Sequence, residues 1–382
     1  MKIEVYSPTI RRKEMDAVLT AMVEEKIGPG DRNRLLIQTA KDQLHFDYAL
    51  ALRSPAVALH LALKAILAKS NQPSENQPAS AQESCIKGVV ISALSPRYYL
   101  QVLQDLNLTP VYCDVTYDFP CLSKESVEKI IIDNRNNQSE VGVRLDICAV
   151  ILHHTLGFVP DTASIAELGL PVIEDISHSY GSWIKPTEKD KDKEKEKEAQ
   201  KDTTPVIFHS QFTILGLEER DMLTSGGGAL LFAMSRKDAS GLRSFAGIAD
   251  EYCLADINSA LAVVQFKEVQ RNMARRREIA DVYLQASLRT RHKRFISIND
   301  NQYCNYSFSL VLETGLKDVI AYARKKDIIL ENAFVNTIAG AEIIDSCPVS
   351  NSLCLRTVLF PMYPRLRSQE VERICRLITT LP

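Results

Sequence analysis

Apolar residues recur in short runs along the first 240 residues, separated by polar turns and by segments with helical spacing. The run at 48–52 is followed by a turn and by an apolar segment that begins with Pro55, which indicates a strand, a turn and a helix. Further strands are predicted at 87–94, 109–115, 146–154, 171–175, 205–210 and 227–234. Because strands alternate with helices, the pattern predicts an α/β fold with a mostly parallel sheet that helices cover on both faces.

Helical spacing dominates both ends of the chain. An N-terminal helix is predicted within residues 9–24, and the Gly-Pro-Gly sequence at 28–30 ends it. From about residue 254 one long helical pattern leads into a strand–helix–strand pattern and a final amphipathic helix at 368–381. We therefore predict a large α/β domain over residues 1–245 and a smaller C-terminal α/β domain over residues 246–382.

Three polar segments interrupt the predicted large domain, at 69–84, 133–140 and 185–204. They contain few apolar residues, so we expect them to be exposed loop insertions. The third is a low-complexity run in which seven lysines and seven acidic residues cancel. Such a run cannot bury apolar surface, and we expect a disordered segment or a solvated helix that the surface tolerates.

The overall charge excludes long-range attraction to a polyanion, because 46 basic residues face 48 acidic ones. We accordingly expect neither nucleic acid nor a membrane as a partner. No apolar run approaches the roughly 18–20 residues that would cross a bilayer. Nine cysteines without a CxxC pair argue against a disulfide framework and favour a reducing compartment, so a cytoplasmic protein is expected.

Several stretches, in order along nearly the whole chain, resemble the DegT/DnrJ/EryC1/StrS family of nucleotide-sugar aminotransferases. They include IEVYSPTIRRKEMDAVL, HHTLGFVPD, GLPVIEDISHSYG, TSGGGALL and ADINSALAVVQF. The resemblance implies the fold type I architecture of pyridoxal-phosphate (PLP) enzymes, with a large and a small domain. It also implies a homodimer with active sites at the subunit interface, and a sugar nucleotide as ligand.

The resemblance fails at the residue that performs the family's chemistry. In the family a lysine forms a Schiff base with PLP shortly before a glycine turn that resembles residues 223–228, which include Ser225. Counting back from this turn places Arg220 at the lysine position, and counting forward from the preceding apolar run places Phe212 there. Neither side chain offers a nucleophilic amine. No lysine occurs from 202 to 236.

The phosphate-binding positions implied by the resemblance are also altered. Family members hold the PLP phosphate at a helix N-terminus with a Gly-Thr pair, where this chain has Pro55 and Ala56 after Ser54. The asparagine that the neighbouring subunit lends to the phosphate corresponds to Glu251. A carboxylate about 4 Å from a phosphate would cost roughly 4 kcal/mol per charge pair. We therefore expect no coenzyme, with PLP or pyridoxamine phosphate (PMP) as the alternative.

Two residues of the coenzyme pocket remain recognisable. Asp175 matches the aspartate that pairs with the pyridine nitrogen of PLP, although a helix cap or a loop salt bridge is an equally good explanation. His178 stands where the family usually has glutamine. His178 or His209 could act as a base on a coenzyme held without a covalent link, and a structural role is the alternative for both. The seven histidines form no metal-binding motif.

Three hypotheses about function follow. The first is a catalytically inactive pseudo-aminotransferase that binds a sugar nucleotide or a protein partner. The second is a PLP- or PMP-dependent sugar aminotransferase or dehydratase with an atypical site. The third is a regulatory subunit that pairs with an active paralogue, although Glu251 is the residue that it would lend to that partner.

Overall fold

The computed structural model describes residues 2–70, 86–141, 145–182, 209–243, 248–296 and 303–382. The charged insertion at 185–204 lies outside these residues, as do most of the insertion at 69–84 and most of the strand predicted at 205–210.

A seven-stranded sheet lies at the centre of the fold. Its strands are β1 (Tyr48–Leu52), β2 (Ile86–Ser92), β3 (Thr109–Cys113), β4 (Leu145–His153), β5 (Val172–Asp175), β6 (Phe212–Gly216) and β7 (Ala229–Ala233). They are arranged in the order β1-β7-β6-β5-β4-β2-β3, and the five strands from β6 to β3 run parallel. β7 runs antiparallel to both of its neighbours. The prediction of an α/β fold with a mostly parallel sheet is confirmed.

Helices cover both faces of this sheet. The described part of the chain contains α1 (Arg12–Val23), α2 (Asp31–Leu44), α3 (Pro55–Ser70), α4 (Tyr98–Asp105), α5 (Lys124–Val141), α6 (Thr162–Ala166), α7 (Arg236–Arg243), α8 (Asp256–Ser287), α9 (Leu316–Arg324), α10 (Ile338–Ala341), α11 (Pro348–Arg356) and α12 (Ser368–Thr379). Adjacent residues of β7 reach opposite faces, as strand geometry requires. Leu231 lies in the core with residues of α3 and α4, whereas Leu230 lies with residues of α2 and α8.

A second, three-stranded antiparallel sheet follows in the C-terminal part. It contains β8 (Phe308–Val311), β9 (Glu331–Asn332) and β10 (Thr357–Phe360) in the order β8-β10-β9. Residues of α8, α9 and α12 complete its core. Phe295, Phe334 and Leu353 nevertheless belong to the core of the large sheet, so the two parts share apolar contacts. The domain boundary at residue 245 stays a prediction.

One detail of the predicted pattern is wrong. Residues 133–140, predicted as a loop insertion, continue helix α5. Asn134 donates to the carbonyl oxygen of Leu145 at 2.9 Å, which attaches the helix to β4. The strand predicted at 205–210 lies mostly outside the described residues, which contain β6 from Phe212, paired with β5 and β7.

Helix α2, which the pattern did not predict, is anchored by a single carboxylate. Asp256 at the start of α8 accepts hydrogen bonds from the backbone N–H groups of Gly30, Arg32 and Asn33 at 2.8–3.0 Å. Those groups are the unpaired donors of a helix N-terminus, where a negative charge is favourable. Asp256 therefore joins α8 to α2 through a buried cap.

Candidate functional site

The carboxyl ends of three neighbouring parallel strands define the candidate site. β4 ends at His153, β5 at Asp175 and β6 at Gly216, and the pairing places these ends at one edge of the sheet. Open α/β sheets bind ligands at this edge. The structure therefore brings together at one place the aspartate that the sequence singled out and side chains from two adjoining strands.

The Asp175 carboxylate is buried and fully hydrogen-bonded. Its Oδ1 accepts from the Ser177 backbone N–H at 3.1 Å and from the Ser177 hydroxyl. Its Oδ2 accepts from the Tyr99 hydroxyl at 2.7 Å and from the Tyr98 hydroxyl at 3.1 Å. A carboxylate has about four acceptor positions, and these donors fill them. The helix-cap explanation offered for Asp175 does not apply, because its partners are two phenols and the local turn.

These partners keep the Asp175 side chain ionised. Burial alone would raise the pKa of Asp175, but the nearby His153 and the donors Ser177 and Tyr99 outweigh it and lower the pKa below its usual range. His153 Nδ1 lies 3.6 Å from Asp175 Oδ2. Burial, followed by the charge of Asp175, raises the pKa of Tyr98 and of Tyr99 well above 10. Both tyrosines are thus neutral hydrogen-bond donors to a permanent anion.

His178 forms an aromatic wall beside this anion. Its ring stacks on Tyr306 with a centroid distance of 4.1 Å and an interplanar angle of 10°. The His153 ring meets it edge to face at 4.9 Å. Burial, aided by His153, lowers the pKa of His178 to about 3, so the imidazole is neutral at physiological pH. Its Nδ1 is buried without a hydrogen-bond partner in the described structure.

Arg220, one of the two residues predicted at the lysine position, is directed out of the site. Its guanidinium forms an ion pair with Glu331 of β9 at 2.7 Å and lies over the ring of Tyr6 at 5.8 Å from the centroid. Phe212, the other prediction, is a buried residue within β6, paired with strands on both sides. Neither side chain therefore occupies the space beside Asp175.

Asp221 is the residue of this loop that turns into the site. Its side chain is only 10% exposed, and its Oδ2 accepts from the Glu218 N–H at 2.8 Å. Its Oδ1 faces His178 Nε2 at 3.9 Å, too far for a hydrogen bond. Burial, reinforced by the charges of Asp175 and Glu218, raises the pKa of Asp221 well above 3.8. The surroundings thus favour the neutral form of the Asp221 carboxyl and the ionised form of the Asp175 carboxyl.

Gly216 provides the space for this carboxyl. A Cβ atom at residue 216 would collide with the Asp221 carboxylate and lie 2.7 Å from Ser177 Oγ. The loop is also held by its backbone, since the Met222 N–H donates to the Ser177 carbonyl at 3.0 Å. The inward position of Asp221 is therefore part of the folded loop rather than a chance rotamer.

The glycine turn that follows is closed on itself. Gly226, Gly227 and Gly228 have φ values of 75°, 148° and 118°, which residues other than glycine rarely adopt. The Ser225 hydroxyl donates to the Gly227 carbonyl at 2.6 Å, and Asn258 donates to the Ser225 carbonyl at 2.8 Å. The hydroxyl of Ser225, which was predicted at a degenerate coenzyme-binding position, thus donates its hydrogen bond within the turn.

The predicted phosphate position lies at the start of α3. Ser54 Oγ accepts from the Val57 N–H at 3.3 Å, so the serine caps the helix that Pro55 and Ala56 begin. Glu251 is exposed in a single turn at 250–252, and the adjoining Tyr252 carbonyl accepts from the Arg53 N–H at 2.8 Å. The structure therefore places Glu251 close to this helix start in space, although far from it in sequence, and leaves its side chain exposed to solvent.

His209 lies at the opposite edge of the sheet from Asp175. It precedes β6, whereas Asp175 pairs with Ile214 of that strand, five residues further along the chain, which is about 16 Å in extended conformation. The structure therefore separates His209 from the other site residues. Sequence reasoning missed Asp221, Tyr98, Tyr99 and Tyr306, which the fold brings to the site from three separate segments.

Comparison with known proteins identifies the fold's relatives. The model of the DegT/DnrJ/EryC1/StrS aminotransferase family matches residues 8–379. The chain belongs to this family. Over 297 residues, 71% of this chain and 73% of the relative, it is 23% identical to dTDP-4-amino-4,6-dideoxy-D-glucose transaminase of Escherichia coli.

Solved structures show the same architecture. An aminotransferase from Streptoalloteichus hindustanus is similar with a TM-score of 0.76 at 18% identity, covering 99% of this chain and 98% of that one. A protein from Streptococcus pneumoniae, described as a sugar aminotransferase, has a TM-score of 0.79 in its PMP form at 16% identity, covering 100% and 97%. Its PLP form gives 0.78 at the same identity, covering 100% and 98%. The fold type I architecture is confirmed.

The expectation that no coenzyme is bound is wrong in the light of these comparisons. The family is one of aminotransferases, and its structural neighbours are solved in PLP and PMP forms. The altered phosphate positions did not justify that expectation, because they are only part of a coenzyme site. Among the described residues, Asp175 is the carboxylate that could pair with a pyridine nitrogen. Its Oδ2 already accepts hydrogen bonds from the hydroxyls of Tyr98 and Tyr99. The loop after β6 has no lysine, so these residues do not fit a covalently attached coenzyme.

Two classes of feature are missing from the part of the chain that the structure describes. It contains no helix that is long and apolar enough to cross a membrane. Within the same ranges there is no group of three or more histidine, cysteine, aspartate or glutamate side chains that could hold a metal ion.

Proposed function

We propose that this chain is an aminotransferase-family protein that binds a sugar nucleotide at the carboxyl edge of its large sheet but performs no transamination through a lysine of its own. The observation that carries the proposal is the loop after β6. Arg220 points outward to Glu331, and Asp221 occupies the inward position. A carboxyl group cannot form the covalent link that a lysine amine forms.

The ligand class is supported by the relatives. The E. coli relative acts, by its name, on a dTDP-linked amino sugar, and the S. pneumoniae neighbour is described as a sugar aminotransferase. The site offers hydroxyl, imidazole and carboxyl groups of the kind that hydrogen-bond sugars, in Tyr98, His178 and Asp221. A coenzyme of the neighbours' kind would be held here without a covalent link.

Borohydride reduction in the presence of PLP tests the first half of the proposal. Reduction fixes PLP only where an amine has joined it, and peptide mapping then locates the label. We expect no label in residues 209–243, which contain Lys237 on α7 and no lysine in the loop. A stoichiometric adduct on any lysine, absent after addition of a sugar nucleotide that occupies the site, would overturn the proposal.

Calorimetric titration tests the second half. We expect a dTDP-sugar to bind with one site per chain and more tightly than dTDP, because only the sugar reaches the strand ends. Equal affinity for the two would place the ligand elsewhere. Binding of neither would leave only the protein-partner form of the hypothesis, which copurification from the native host examines.

A PMP-dependent enzyme with His178 as its base is the second candidate function. The observation that favours it is the buried Nδ1 of His178, which lacks a hydrogen-bond partner in the described residues. Turnover of a dTDP-4-keto sugar in the presence of PMP, lost on His178→Gln, would establish it. Absence of turnover in the wild-type protein would remove it.

We also propose a cytoplasmic homodimer. The eight cysteines within the described ranges are free thiols, which supports a reducing compartment. Glu251 is exposed in the isolated chain. A residue that contacts a neighbouring subunit has to be exposed in this way before the subunits associate. Light scattering checks the dimer, and a stable complex with an active paralogue in place of the homodimer would favour the regulatory hypothesis.

A further inference from the structure

The four donors that hold the Asp175 carboxylate are not equally fixed. Two of them belong to Ser177, in the turn that follows β5, and the Ser177 hydroxyl also accepts from the Gly216 backbone N–H at 2.8 Å. The third is the hydroxyl of Tyr99, whose side chain is completely buried in the core of the large sheet. Because protein cores are closely packed, these three donors cannot leave Asp175 without a rearrangement of their surroundings.

The hydroxyl of Tyr98 is the fourth donor, and the Tyr98 side chain is only partly buried. It makes the longer of the two bonds to Asp175 Oδ2, at 3.1 Å against 2.7 Å for Tyr99. Tyr98 is the first residue of α4, so the restriction on χ1 that a preceding helical turn imposes does not apply to it. Rotation about χ1 can therefore carry the Tyr98 hydroxyl away from Asp175 while the backbone stays in place.

Tyr98 also lies on the side of Asp175 that faces the candidate site. Besides burial and Asp175, the charge of Asp221, which turns into the site, raises the pKa of Tyr98. The groups that act on the pKa of Tyr99 are Asp175 and Tyr98, and the Tyr99 ring packs edge to face on His153 at 6.3 Å. The acceptor position that Tyr98 covers is thus on the site side of the carboxylate, and the position that Tyr99 covers is on the core side.

We propose that Tyr98 is a displaceable donor, whose hydroxyl occupies the position on Asp175 Oδ2 that a protonated ring nitrogen of a ligand takes when the hydroxyl withdraws. The inference rests on one part of the proposed function, a coenzyme held without a covalent link, and it names the residue that such a coenzyme must move. Asp175 is a buried anion, so a cationic N–H donor such as a pyridinium ring binds it more strongly than a neutral phenol does.

The Tyr98 contact has opposite effects on the free protein and on ligand binding. While the position holds no ligand, the hydroxyl keeps the buried carboxylate fully paired, and an unpaired buried acceptor would be costly. When a ligand enters, this hydrogen bond has to break. The same contact therefore stabilises the free protein and lowers the affinity of the site for a ring nitrogen.

Removal of a single hydroxyl tests the proposal. PMP is titrated by calorimetry at pH 7 into the full-length wild type, Tyr98→Phe and Tyr99→Phe. We expect Tyr98→Phe to bind PMP about tenfold to a hundredfold more tightly than the wild type, because the ligand no longer displaces a charge-assisted hydrogen bond. Tyr99→Phe is the matched control. It loses a hydroxyl on the same carboxylate oxygen, but the vacated position stays buried beneath the ring, so the affinity should not rise.

Two results of the titrations would overturn the proposal. One is an unchanged affinity for PMP in a folded Tyr98→Phe protein. The other is an equal rise in both variants, which would mean that any loss of a donor from Asp175 strengthens binding, whichever side of the carboxylate the donor is on.

A crystal structure of the wild-type protein with PMP gives a readout that needs no variant. We expect the ring nitrogen of PMP within hydrogen-bond distance of Asp175, and the Tyr98 hydroxyl more than about 3.5 Å from Oδ2. The hydrogen bonds from Ser177 and Tyr99 should persist. PMP bound at Asp175 with the Tyr98 contact intact would contradict the proposal, whether or not Tyr98→Phe folds.

The same preparations separate this inference from the sugar-nucleotide function. If a dTDP-sugar binds but PMP binds neither the wild type nor Tyr98→Phe, the inference is overturned and the sugar-nucleotide proposal stands. If PMP binds Tyr98→Phe more tightly than the wild type and no dTDP-sugar binds, the inference stands and the sugar-nucleotide proposal fails.

Discussion

The Tyr99 hydroxyl lies 2.7 Å from Asp175 Oδ2, and this contact joins the first turn of α4 to the end of β5. Tyr99 is fully buried, so its hydroxyl has no access to water as an alternative partner. The bond is charge-assisted, because Asp175 is held in its ionised form. It therefore contributes to stability as well as to the geometry of the site.

Tyr99→Phe removes this hydroxyl and little else. We expect the free energy of unfolding to fall by about 1.5–3 kcal/mol, since a buried carboxylate loses one of four donors. Urea unfolding at pH 7 measures the change. Tyr322→Phe is the control, because the Tyr322 hydroxyl bonds Thr380 at the surface and should matter much less. Equal losses of unfolding free energy in the two variants would mean that the buried Tyr99–Asp175 hydrogen bond stabilises the protein no more than the exposed one does.

The fold could be predicted from the sequence because its signals are local. Short apolar runs such as VIED and YALAL favour strands, and the alternation of strands with helices favours a mostly parallel sheet. Helix α2 was not predicted, and its cap, Asp256, lies more than 220 residues away along the chain. Helix propensity calculated over a short stretch of sequence cannot include a capping residue that lies so far away.

The site could be predicted only in part. Asp175 was found because the stretch GLPVIEDISHSYG resembles the family, and its place at the end of an apolar strand is a further, weaker signal. Tyr99 was not, because it meets Asp175 across 76 residues of sequence. Counting residues placed Arg220 at the lysine position, but the count cannot tell which of two neighbouring side chains turns inward. That choice depends on the Glu331 carboxylate and on the space above Gly216.

The cap at α2 leads to a prediction about stability. Asp256→Asn replaces a carboxylate that accepts three backbone N–H bonds with an amide that has only one acceptor oxygen. We expect a loss of about 2 kcal/mol in the free energy of unfolding, and earlier proteolysis within α2. Asp281→Asn is the control, since Asp281 is exposed on the same helix. A fully stable Asp256→Asn protein would show that α2 does not depend on this cap.

The direction of Arg220 leads to a prediction about chemistry. Arg220→Lys supplies an amine at one of the two predicted lysine positions, but the side chain should still extend toward Glu331 and Tyr6. We expect no coenzyme joined to residue 220 after incubation with PLP and borohydride reduction, measured by peptide mass. Arg220→Met, which has no amine at this position, should likewise show no labelled peptide containing residue 220. A labelled lysine at 220 would show that the loop can turn this side chain inward.

The lowered pKa of His178 predicts how stability changes with pH. Its pKa falls from an ordinary value of 6.5 to about 3 in the folded protein. Between these pH values His178 binds a proton in the unfolded chain but not in the folded protein. The contribution of His178 to the free energy of unfolding is therefore complete above pH 6.5 and is lost as the pH falls toward 3. The expected loss from this residue between pH 7 and pH 5 is about 2 kcal/mol.

The other two titrating groups of the site must be separated from this effect. Asp221, whose pKa is raised above 3.8, contributes stability that is lost as the pH rises, the opposite sign within the same window. Asp175 has a lowered pKa, so its contribution is lost only below about 3.8. His178→Gln keeps a neutral polar side chain and removes only the histidine titration. The difference in unfolding free energy between wild type and variant, measured by urea at pH 7 and pH 5, should therefore shrink or reverse on acidification. A difference that does not change with pH would mean that the folded protein accepts a proton on His178 as easily as the unfolded chain does.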